Sequence, residues 1–305
     1  MPIRLLAAAL AVLALAGCGA RAQASGKLDV VTAFYPLEFL SRRIGGADVH
    51  VTDLTKPGAE PHDVELNPRQ VGAIADAGVV AYLRGFQPAV DDAVAQEAKG
   101  RAFDVSQVVP LLPLADSADG KPEPGADHPE TAGGGMDPHV WLDPVRFATI
   151  ADRLGARFAR ADPAHAAGYT ARAAQVRAEL DALNTEMAAG LRQCVRHEIV
   201  TSHSAFNYLA TRYGLTQIGI TGISPEAEPS PRRMGEIAAQ AKATGTTTIF
   251  FETLVSPKVA ETVARAVGAR TAVLDPLEGL TDRKADYFSV MRDNLATLRT
   301  ALGCS

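Results

Sequence analysis

The sequence has no Cys-x-x-Cys pair and no His-Glu-x-x-His motif. The short-range signatures of zinc sites are therefore missing, and any metal chemistry must be assembled from residues far apart in the chain. There is no block of like charges either, which excludes a basic or acidic interaction tail. The formal net charge is −5, and a mildly acidic chain does not suit nucleic-acid binding. The N-terminal apolar run, Leu5 to Ala16, falls short of the roughly 20 residues a helix needs to cross a bilayer core. No internal sequence repeat stands out beyond an alternation of element types.

What that N-terminal run does match is a secretory signal. Arg4 precedes it, and small residues end it in Leu15-Ala16-Gly17-Cys18. This ending looks like a bacterial lipobox, so residues 1–17 are expected to be a lipoprotein signal peptide and Cys18 the lipidated residue. The alternative is an ordinary signal peptide cut at Ala16-Gly17, with Cys18 an incidental thiol. Lipidation implies an extracytoplasmic protein attached to the bacterial cell membrane through its lipid alone. Residues 18–26, small and polar from Ala20 onward, read as a tether. In such an oxidising setting Cys194 and Cys304 are expected to pair, pinning the C-terminal tail to the start of a second lobe.

The body of the chain alternates strand and helix. Leu28 to Phe34, Val49 to Leu54 and Val79 to Leu83 read as strands. Helices start at Pro36, Pro68 and Pro88. Residues 115–135 are rich in Asp, Gly, Pro and Glu and read as a flexible acidic insertion containing His128. After a helix from Pro144 comes a longer one, from about Ala164 to Leu191. Its apolar residues Tyr169, Ala173, Val176, Leu180, Leu183 and Met187 step by three and four along one face. A second alternating series then runs from Glu198 to Leu302. The pattern predicts an α/β fold of two doubly wound parallel-sheet lobes joined by one long rigid α-helix. The expected boundaries are an N-terminal lobe at 27–163, a linking helix at 164–193 and a C-terminal lobe at 194–305.

Of the seven histidines, His62, His139 and His203 lie just beyond strands or beside helix starts. Ligands of open parallel sheets bind beyond the carboxyl ends of the strands. Asp275 closes a strand in the same way, just before Pro276. Three imidazoles and one carboxylate suit tetrahedral zinc. Each residue also has a plainer reading, because Pro, Asp and His at these places also serve as turn residues.

Four separated segments together resemble the zinc- and manganese-binding solute-binding lipoproteins of metal ABC importers (the ZnuA/TroA-like, cluster A-I family). They are Pro61-His62-Asp63-Val64-Glu65-Leu66-Asn67-Pro68, Asp137-Pro138-His139-Val140-Trp141-Leu142-Asp143-Pro144, Thr201-Ser202-His203-Ser204-Ala205-Phe206 and Leu274-Asp275-Pro276-Leu277. The stretch from Gly222 to Pro231 is similar to a further family signature. The resemblance implies a metal held between two lobes by His62, His139, His203 and Asp275. Histidine at 203 favours zinc over manganese, though manganese stays open. It also implies a monomer that serves an ABC permease and its ATPase, with no catalysis of its own. Glu252 and Glu60 are expected near the cleft. Glu252 would orient a ligand histidine through its other ring nitrogen. Many zinc-binding relatives carry a histidine-rich loop where residues 115–135 stand, and with His128 alone a zinc-collecting role there is not implied. The rival readings are a zinc hydrolase, which needs an open coordination position, and a metal-stabilised adhesin.

Overall fold

The computed structural model describes residues 26–114, 135–282 and 284–305. The expected signal peptide, Cys18, most of the acidic insertion and His128 lie outside the described residues.

Two four-stranded sheets form, and every pairing between their strands is parallel. The first contains β1 (Leu28–Thr32), β2 (Val49–Asp53), β3 (Val79–Tyr82) and β4 (Ala102–Asp104) in the order β2-β1-β3-β4. The second contains β5 (Glu198–Thr201), β6 (Thr216–Gly219), β7 (Thr248–Phe251) and β8 (Arg270–Val273) in the order β6-β5-β7-β8. The two orders are the same, so each sheet reverses its winding between its two central strands. The crevice beyond those strand ends is where such folds bind ligands. Strand β4 was not anticipated: it has three residues, of which Phe103 alone is buried, too little for a periodic signal.

Helices α1 (Tyr35–Gly45), α2 (Pro68–Asp76) and α3 (Pro88–Glu97) cross the first sheet. Helices α6 (Asn207–Tyr213), α7 (Pro231–Ala243) and α8 (Lys258–Val267) cross the second. Proline begins α2, α3 and α7, where its missing N–H is no loss. Asn67 caps α2 by accepting from the N–H groups of Arg69 and Gln70, and Gln70 reaches back to the Asn67 N–H, a reciprocal cap that fixes the helix start.

Helix α4 (Pro144–Ala161) and the 26-residue α5 (Ala166–Leu191) pack along each other. At ~1.5 Å per residue, α5 runs about 39 Å. The stripe from Tyr169 to Met187 is its buried face, extended by Leu191. Through it α5 packs on α1 and α4 at one end and on α9 (Tyr287–Leu302) further along. One apolar cluster accordingly runs from the first sheet through α4 and α5 to α9 and part of the second sheet. A smaller cluster of nine buried residues, including Val200, Ile218 and Ile249, lies within the second sheet and its helices. Cys194 and Cys304 are joined by a disulfide, which ties the chain end after α9 to the exit of α5. No helix among the described residues is long and apolar enough to cross a membrane.

Candidate metal centre

Three imidazoles and one carboxylate converge between the sheets: His62, His139, His203 and Glu278. One ligand atom from each lies within 4.8 Å of all the others. Glu278 Oε1 stands 2.9 Å from His139 Nε2, 3.2 Å from His203 Nε2 and 3.3 Å from His62 Nε2. Tetrahedral ligands held about 2.05 Å from a zinc ion stand about 3.3 Å apart, so the three separations are close to the edges of such a cage. His139 and Glu278 have no exposed surface, His203 is 1 % exposed, and the His62 side chain is 9 % exposed. The approach to the site is therefore on the side of His62.

The chain folds to this arrangement in small local steps. His203 follows β5 by two residues and Glu252 follows β7 by one, so both emerge at the winding reversal of the second sheet. Glu252 Oε1 lies 2.7 Å from His203 Nδ1 and accepts from the Ser202 hydroxyl at 2.8 Å. Asp137 Oδ1 does the same for His139, accepting its backbone N–H at 2.9 Å and lying 2.8 Å from its Nδ1. An ionised carboxylate only accepts, so in a neutral ring it places the proton on Nδ1 and leaves the lone pair on Nε2. Two Nε2 lone pairs then face the lone pairs of Glu278 Oε1. That is repulsive unless a proton or a metal ion lies between them.

The electrostatics follow from the same packing. Burial pulls the His203 pKa down, but Glu252 and Glu278 outweigh it and hold the ring well above the usual imidazole range. His139 moves the same way, with Asp137 and Glu278 overcoming burial. His62 is shifted down, since burial outweighs the pull of Glu278. Burial raises Glu278, yet His203, His62 and the hydrogen bonds from His139 and His203 bring it well below the ordinary carboxylate range. Glu60 is pushed up to about 8, first by burial and then by the charge of Glu278. One oxygen each of Glu60, Asp137, Glu252 and Glu278 is buried without a hydrogen-bond partner. A surplus of buried carboxylate oxygen around three imidazoles is a setting that a divalent cation relieves.

Asp275, expected as a ligand, is not among the four converging residues. Its Oδ1 accepts the Leu277 N–H at 2.8 Å, and its Oδ2 accepts the Thr253 hydroxyl at 2.9 Å. Its backbone is paired in both directions with the Asn294 side chain. The carboxylate shapes a turn, and that turn delivers Glu278 three residues later. Leu277, fully buried, sits at φ 60° within it, a conformation a leucine adopts only when its surroundings enforce it. Glu60 Oε1 accepts the His62 N–H at 2.9 Å and lies 4.0 Å from His62 Nε2. Asp137 and Glu278 were both missed in the sequence. For Asp137 the Asp-x-His spacing was available as a signal. For Glu278 the only local sign was that Pro276 makes Asp275 a turn former.

Among the described residues, His50, His165 and His197 stay outside the centre. His50 lies 3.4 Å from Asp29 on the surface, and His165 bonds Asp162 at 2.6 Å.

Residues 30–301 match the family model described as zinc-uptake complex component A, periplasmic. The chain belongs to this zinc-uptake component family. It is 32% identical over 284 residues to the high-affinity zinc uptake system protein ZnuA of Bacillus subtilis, covering 90% of this chain and 88% of that one. It is 37% identical over 289 residues to the zinc-binding protein AdcA of Streptococcus pyogenes, but spans only 56% of that longer relative. Its fold resembles the crystal structure of the Zn(II)-bound ZnuA-like domain of Streptococcus pneumoniae AdcA, with a TM-score of 0.74, 32% identity and coverage of 91% of this chain and 99% of that one.

Proposed function

We propose that this protein captures zinc outside the cytoplasm and delivers it to the permease of an ABC importer. The observation that carries the reading is the convergence of three Nε2 atoms on Glu278 Oε1, two of them with Nδ1 held by a carboxylate. Imidazole nitrogens with one carboxylate oxygen suit zinc, whereas manganese favours oxygen-rich sets. His62, His139, His203 and Glu278 would together supply four ligands. A zinc hydrolase keeps one position open for water, and four protein ligands argue against that use. The zinc-related names of the family and of its relatives support the same cargo.

The finer points rest on the sequence. Cys18 would carry the lipid that keeps the protein at the membrane surface, and the chain would act as a monomer. The apolar cluster continuous through α4, α5 and α9 supports small lobe movements on metal release.

Calorimetric titration of the metal-free, lipid-free protein with zinc and with manganese tests the proposal. One-to-one zinc binding that is much tighter than manganese binding and is lost in His203→Ala supports it. Comparable manganese binding would change the cargo, and tight binding of neither ion would remove the proposal.

A further inference from the structure

His139 and His203 each have a carboxylate on Nδ1, but the ring of His62 is placed differently. It meets the edge of Phe86, with ring centroids 4.7 Å apart, and it is carried by the chain between β2 and α2, which has no regular secondary structure. The next residue after Phe86 is Gln87, a buried amide only 2 % exposed. Gln87 occupies the N-cap position of α3, yet its side chain makes no capping bond. Its Nε2 instead points into the first sheet's winding reversal. There it donates to the Pro61 carbonyl at 3.0 Å, with the Thr55 hydroxyl at 3.2 Å and the Ala33 carbonyl at 3.3 Å. Thr55 in turn donates to Ala33 O at 2.8 Å. The amide therefore joins the end of β1, the start of the loop and the peptide that immediately precedes His62.

We infer that Gln87 is a positioning residue for His62: its amide, together with the Phe86 ring, holds His62 against the bound ion and sets how long the ion stays. The inference rests on the zinc reading above. A buried amide aimed at a carbonyl beside a ligand acts as the carboxylates do on the other two histidines, but through the backbone. Outer partners of ligands change metal affinity by about ten- to a hundredfold when removed. A backbone tie is expected at the lower end of that range.

The test is stopped-flow zinc release into excess chelator from the zinc-loaded protein. Gln87→Met keeps the volume and removes the N–H donors. It should release zinc about tenfold faster, while the same change in a His62→Ala background should add nothing, because residues acting through one group are not additive. Cobalt(II) loaded in place of zinc should lose intensity in its visible four-coordinate band in Gln87→Met, a change that general destabilisation of a folded site would not produce. Thr55→Val, a milder variant that removes the hydroxyl beside the amide, should shift release in the same direction. Unchanged release in both variants, or equal acceleration with and without His62, overturns the inference while leaving the metal site intact. Failure of the unmodified protein to bind zinc would instead remove the zinc reading and this inference with it.

Discussion

Trp141 donates its indole N–H to the carbonyl oxygen of Pro276 at 2.7 Å. Trp141 lies two residues after His139, and Pro276 two before Glu278, so one buried hydrogen bond ties together the chain segments bearing two of the four converging residues. Tyr287 donates to Trp141 O at 2.7 Å and Tyr208 to Asp137 O at 2.8 Å. The Trp141 ring packs on Phe34 and Phe86, with centroids 4.9 and 5.7 Å away. His139 is thus hydrogen-bonded toward the second sheet while its neighbour packs against the first.

Trp141→Phe keeps an aromatic ring but leaves Pro276 O buried without its donor. The expected loss of stability is about 1–3 kcal/mol, read by urea denaturation of the metal-free protein. Zinc affinity should fall as well, because the spacing between His139 and Glu278 is no longer fixed. An unchanged denaturation midpoint would show that the bond does not hold the two segments.

The identity of the fourth ligand separates two substitutions. Glu278→Gln removes the anionic oxygen that meets all three imidazoles, and zinc affinity should fall by more than the roughly hundredfold expected of an outer partner. Asp275→Asn keeps an oxygen able to accept from Leu277 N–H, and affinity should stay within about threefold, well under 1.4 kcal/mol. Competition titration with a chelator measures both. The reverse order of effects would restore Asp275 as the ligand.

Zinc binding should be weakened by acid. His203 and His139 have raised pKa values in the metal-free protein, so they retain protons to a higher pH than an ordinary imidazole, whose pKa is about 6.5. Zinc must displace those protons to reach Nε2. Affinity therefore falls as pH drops, and the fall begins above the usual imidazole range. Calorimetry in buffers of different ionisation enthalpy should record proton release on binding near neutral pH. Affinity that does not change between about pH 8 and pH 5.5 would contradict the assignment of these rings as ligands.

The disulfide should matter for stability and not for cargo. Cys194 and Cys304 are 110 residues apart, and the chain-entropy model gives a bridge of that span about 4–5 kcal/mol. Replacing both with serine should lower thermal stability by an amount of that order. Zinc affinity should stay the same, since neither cysteine belongs to a segment bearing a ligand. A parallel loss of affinity would mean that the tail bridge transmits strain to the centre.

What could be read from the sequence was whatever leaves a local pattern. The face of α5 was visible because a long single-sided stripe has few alternatives. Pro68 and Pro88 marked helix starts, and the positions of His62, His139 and His203 beyond strand ends placed them at one crevice. Glu252 was expected only near the cleft, and that its strand neighbours the one leading to His203 is visible in the sheet order alone. The fourth carboxylate was not readable in the same way. Its position depends on the turn through Leu277, whose left-handed backbone is enforced by burial and by the Asp275 and Asn294 side chains. These are tertiary facts with no periodic trace. Asp275 resembled a ligand because it closes the strand, and its oxygens are already used by Leu277 and Thr253. Gln87 left no signal at all, because nothing around a single amide in a loop marks it as buried beneath the peptide that bears His62.

The measurement that tests the central claim most directly is a crystal structure of the zinc-loaded protein with anomalous data at the zinc edge. One anomalous peak is expected among the Nε2 atoms of His62, His139 and His203 and Oε1 of Glu278, with all four at about 2.0–2.2 Å. A peak bonded to Asp275, or one lacking any of the three histidines, would contradict the account.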